Sequence, residues 1–126
     1  MQGRSKSYEK LIGTFQAARD LVVGSGFPQL GGITFQVGCP AVEQYHRESP
    51  RGYMHVLHVP NVICVAAAAE DLGRQTLLGL WLHEFGHVLG GPEQWDADEW
   101  VFRNIKLEGH PVPIRYDERD LQFVEL

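Results

Sequence analysis

At 126 residues the chain has room for one domain, since two halves of that length could not each bury a self-sufficient core. Its 44% hydrophobic and 21% charged residues are the proportions of a globular protein, which excludes a disordered or fibrous chain. A net charge of -5 with no cluster of Lys and Arg argues against a nucleic-acid backbone as the main partner.

The chain begins with Met1 followed by polar residues, and no apolar run reaches the length of a bilayer. Cys39 and Cys64 are the only cysteines and form no CxxC. The expectation is a cytoplasmic protein, with no membrane partner, whose two thiols stay reduced as small hydrophobes.

Tyr8, Leu11, Ile12, Phe15, Ala18, Arg19 and Val22 recur at helical spacing, which predicts an N-terminal helix ending before Gly24. Residues 24–32 are rich in Gly and Pro and read as a loop, after which Ile33, Phe35 and Val37 alternate as in a half-buried strand. Residues 38–52 read as a long surface loop, and 54–59 and 61–66 as two strands parted by Pro60-Asn61.

From about Leu72 to Leu89 the pattern is helical, with Asp71 as a cap and Leu78, Trp81, Leu82, Phe85 and Leu89 on the buried stripe. Gly90-Gly91-Pro92 stops that helix and starts another to about Ile105, packed through Trp95, Val101, Phe102 and Ile105 as an antiparallel partner. Residues 112–116 predict a short strand. The sum is a small α+β domain over residues 1–126 with a short mixed sheet of about three to four strands.

The chemistry lies in His83-Glu84-Phe85-Gly86-His87. One helical turn is 3.6 residues, so His83 and His87 share a face and their imidazoles can converge on one ion. Glu84, about 100° round the helix, is kept from that ion yet can reach a water upon it. Zinc lowers the pKa of such a water to about 7, and a carboxylate beside it can take the proton. The competing reading makes these three residues the wet face of a buried helix, which explains the helix and not the pattern.

The stretch from His83 to Gly90 resembles the active-site helix of zincin metallopeptidases, and the order of the preceding elements is similar to their minimal core. The resemblance implies a zincin-like fold, a Zn2+ cofactor, peptide or protein substrates and Glu84 as general base. It also implies that the strand at 54–59 pairs with extended substrate. A third ligand is then needed. In metzincins it lies six residues after the second histidine, where Glu93 stands, with Gly90 matching the family glycine. No methionine follows the motif, since Met1 and Met54 both precede it, so the metzincin Met-turn has no counterpart.

In gluzincin-like proteins the third ligand is an acid on the following helix, and Asp96-Ala97-Asp98 resembles that signature with Asp replacing Glu. A tight helix pair about Gly90-Gly91 sets Asp96 level with the histidines, which favours Asp96, with Glu93 as the alternative. Glu93 otherwise stabilises its helix N-terminus, and Asp98 is either an orienting or a solvated carboxylate.

His55 and His58 fall on opposite faces of their strand and cannot pair compactly. Tyr116, His110, Arg115 and His46 are candidate donors to an oxyanion. Peptide deformylases combine a cysteine with a HExxH helix, but the surroundings of Cys39 do not resemble their other motifs. The functional expectation is a zinc-dependent metallopeptidase or amide hydrolase. The alternative is a catalytically silent zincin-fold module that binds metal or protein. The substrate, the physiological metal and the oligomeric state stay open.

Overall fold

A computed structural model describes residues 6–48, 53–57, 62–89, 100, 103–104, 106–107, 110–111, 114–116 and 121–123. Helix α1 spans Lys6–Gly24, β1 Thr34–Val37, α2 Pro40–Glu48, β2 Met54–Leu57, β3 Val62–Val65 and α3 Arg74–Leu89. Two-residue strands β4 (Lys106–Leu107) and β5 (His110–Pro111) pair, as do β6 (Ile114–Tyr116) and β7 (Leu121–Phe123). Among the described residues the architecture is α+β, with the three helices α1–α3 packed on a mixed three-stranded sheet, and no described helix is long and apolar enough to cross a membrane.

In the sheet β3 is central: β1 runs parallel to it and β2 antiparallel. Strand pleating sends successive side chains to opposite faces. Ile63 and Val65 enter the main core with Met54, while Cys64 turns the other way into a smaller cluster with Val42 and Ala66 under α2. Helices α1 and α3 therefore cover one face of the sheet and α2 the other.

The apolar stripe of α1 buries Leu11, Phe15, Ala18 and Val22, as its spacing predicts. Phe15 lies 5.1 Å from Trp81 edge to face and 4.9 Å from Phe35, so one ring couples α1, α3 and β1. Thr14 sits on the same stripe, buried. Its hydroxyl accepts the indole N–H of Trp81 at 2.9 Å and donates to the Lys10 carbonyl at 2.7 Å. This bond joins α1 to α3 two residues before His83.

Several expectations are corrected. Residues 38–52, read as a loop, contain α2, which starts at Pro40, where a missing N–H costs nothing. Only Val42 of that helix is buried, and its few apolar residues span too short a stretch to announce it. Gly38, at φ 81°, makes the turn into it.

Asp71 does not cap α3 but ends a 3-10 turn, Ala67–Asp71, and the helix starts at Arg74. Leu77 is buried on α3, whereas Leu89 is 40% exposed at its end. The reduced thiols expected for Cys39 and Cys64 are instead a disulfide, formed across Cα atoms 5.9 Å apart.

The helix expected over 92–105, its antiparallel packing and Trp95, Val101, Phe102 and Ile105 lie outside the described residues. Trp100, Arg103 and Asn104 are helical, and the ring of Trp100 packs on Phe27 at 4.9 Å.

Candidate metal centre

Among the described residues α3 packs against α1, the edge strand β2 and, through its backbone, β7, and its Trp81 also meets Phe35 of β1 at 5.1 Å. Enclosed this way, the helix buries residues round most of its circumference, Leu77, Trp81, Leu82, Glu84 and Phe85 among them. His83 and His87 emerge half-buried on one side.

Their Nε2 atoms lie 3.0 Å apart, one ring donating to the other, with the rings nearly perpendicular at 84°. Two nitrogens each bound to a tetrahedral zinc at 2.0–2.1 Å would stand about 3.3 Å apart. The pair is within a few tenths of an ångström of that spacing, so small rotations of the imidazoles would suit it to an ion.

Glu84 is 5% exposed, and its buried Oε2 has no hydrogen-bond partner among the described residues. Burial raises its pKa above the ordinary carboxylate value, while the His83 and His87 imidazoles pull it partly back. A buried carboxyl with an unmet oxygen is costly to a fold unless something meets it. The donor set and this orphaned oxygen fit a zinc ion whose water the carboxylate would engage.

No third His, Cys, Asp or Glu joins this pair among the described residues. The candidate third ligands Asp96 and Glu93, with Asp98 and His58, lie outside those residues.

His55 is on β2 directly across from Cys64, between the core-facing Met54 and Val56. It therefore turns toward α2 and away from His83 and His87. Its Nε2 is buried without a partner among the described residues, and burial lowers its pKa. His46 is on α2 with its ring 4.6 Å from Tyr53, so the structure does not bring it to the metal pair as an oxyanion donor. The backbones of Arg115 and Tyr116 run in β6, which is paired to the strand beside α3; His110 is in β5.

Sequence reasoning missed two features, one that holds α3 to α1 and one on the opposite face of the sheet. The Thr14–Trp81 bond had a signal, a polar residue at position 14 on the apolar stripe formed by Leu11, Phe15 and Ala18. The Cys39–Cys64 bond had only the even cysteine count.

Compared with family models, curated proteins and solved structures, the chain matches none.

Proposed function

We propose that the chain is a zinc-dependent metallopeptidase or amide hydrolase of the zincin kind. One observation carries the reading: two imidazole nitrogens converge at 3.0 Å beside a buried glutamate whose Oε2 meets no partner among the described residues. His83 and His87 would hold the metal, with Asp96 as third ligand and Glu93 as the alternative. Bound there, zinc supplies Lewis acidity, lowering the pKa of water to about 7 and polarising a carbonyl.

Glu84 then takes the proton of the attacking water and passes it to the leaving nitrogen. Its apolar surroundings and raised pKa suit it to hold that proton between the two transfers. Strand β2 supports an extended peptide as substrate. It lies beside α3, and among the described residues it pairs with β3 alone, leaving one edge for main-chain hydrogen bonds. A cytoplasmic location, argued from two reduced thiols, loses that support now that Cys39 and Cys64 are bonded.

The test combines zinc content with cleavage of a fluorescence-quenched peptide library. About one zinc per chain, retained in Glu84→Gln while cleavage disappears, is the expected result. A protein that takes up no zinc sinks the reading. One that binds zinc yet cleaves nothing is a silent module.

A further inference from the structure

The sheet has a second outer edge, at β1. The Gly38 N–H donates to the Val65 carbonyl at 2.9 Å, and Gly38 stands one residue beyond the Val37–Val65 register pair. In a parallel ladder this turns the main-chain polar groups of Gln36 and Gly38 toward β3 and those of Phe35 and Val37 outward. Among the described residues β1 pairs with β3 alone, so the outward groups have no sheet partner. The strand carries neither a charge nor a proline, devices that keep an outer strand from pairing. Beside this edge runs one side of α1. Its Ile12, Phe15, Gln16 and Arg19, spaced at three and four residues, line with Thr34 and Phe35 a cavity of about 190 Å³. The Arg19 guanidinium lies over the Phe15 ring at 5.4 Å, and no carboxylate pairs with it among the described residues.

We propose that this edge and groove bind an extended peptide segment of another protein, which adds a strand antiparallel to β1, seats an apolar side chain in the cavity and sets an acidic one on Arg19. The phase of the pairing follows from the pleat. A residue that exchanges both main-chain bonds with Phe35 turns its side chain to the face Phe35 occupies, which is the face of the main core and of α1. That side chain enters the cavity. Tyr8 meets Phe35 at 6.5 Å, and a side chain at Gly31, just before β1, would meet Val23 at 3.5 Å, so α1 and β1 run in opposite senses and Arg19 is level with the start of the strand. In an antiparallel peptide the residue on that face and at that level comes two after the apolar one. A carboxylate there meets a guanidinium whose fork of donors suits it, and the cation is otherwise unneutralised. The peptide is therefore of the kind apolar-x-acidic. β1 is at the opposite edge of the sheet from β2, and the proposal is independent of the hydrolase reading.

The experiment titrates the full, isotope-labelled, chelator-treated chain with acetyl-Thr-Val-Thr-Leu-Thr-Glu-Thr-amide and follows each amide by NMR and hydrogen exchange. At about 1 mM peptide the Phe35 and Val37 amides are expected to shift and to exchange about tenfold more slowly, while Gln36, already directed to β3, changes little. Replacing the peptide Glu with Gln should weaken binding to the wild type by about fivefold or more and leave binding to Arg19→Gln unchanged. N-methylation of the peptide Leu removes the donor to the Phe35 carbonyl and should abolish binding; N-methylation of the Thr after it, whose N–H points away from β1, should not. Unmoved Phe35 and Val37 amides overturn the proposal, as does protection at Met54 and Val56 of β2 in their place. Slowed exchange at Phe35 and Val37 that grows with protein concentration and needs no peptide means that a second copy takes the edge, and overturns it too. If Arg19→Gln does not fold, the Glu and Gln peptides and the two methylated ones on the wild type carry the comparison.

Discussion

Replacing Glu84 with Gln is expected to stabilise the metal-free protein while abolishing hydrolysis. Glu84 is buried with Oε2 unpartnered among the described residues, and an unmet buried polar group costs about 1–3 kcal/mol, more when it is charged. Gln leaves a neutral group in that place, and the nearby imidazoles offset part of the cost of the charge, so the expected gain is about 1–2 kcal/mol. For a chain of this length the unfolding entropy is about 0.26 kcal/mol per kelvin, so Tm should rise by about 4–8 °C.

The pH dependence has a definite sign. Burial raises the folded pKa of Glu84 above its unfolded value, so below the ordinary carboxylate range the residue is protonated in both states. As pH rises, the unfolded chain ionises first, and the wild type loses stability until the folded carboxyl ionises too. The variant has no such loss. Calorimetry of chelator-treated wild type and Glu84→Gln from pH 4 upward should give curves that meet at low pH and separate as pH rises. A variant that melts at or below the wild type at pH 8, or a gap independent of pH, refutes the account of a strained buried carboxyl.

Three further outcomes follow from the same geometry. Zinc at a hundred times its dissociation constant should add about 2.7 kcal/mol of stability, raising Tm by about 10 °C, and His83→Ala and His87→Ala should each abolish that shift. Equilibrium dialysis should show Asp96→Ala losing zinc affinity by at least tenfold with Glu93→Ala nearly unaffected; the reverse ranking would assign the third ligand to Glu93. Thr14→Val leaves the buried indole N–H of Trp81 without its acceptor and should cost about 1–3 kcal/mol by urea denaturation, a loss that a change of less than 0.5 kcal/mol would contradict.

The sequence by itself determined what repeats along a single element. The spacing of Leu11, Phe15, Ala18 and Val22 fixed α1 and its buried face, and the spacing of His83, Glu84 and His87 put two imidazoles on one side of α3. Both are consequences of a 3.6-residue turn and need no knowledge of the rest of the chain. Strands β2 and β3 were legible for a similar reason, as short β-branched runs bounded by turn residues.

Only the tertiary structure decided what depends on residues distant in sequence. Helix α2 buries little but Val42, so its stability comes from the sheet beneath it and the Cys39–Cys64 bond, neither of which leaves a periodic trace. The face of His55 followed from its register opposite Cys64, and the burial of Glu84 from the packing of α1, β2 and β7 around α3. The motif named the groups able to do the chemistry; their electrostatics came from neighbours brought together by folding, because desolvation depends on everything that excludes water from a site and not on the helix that carries it.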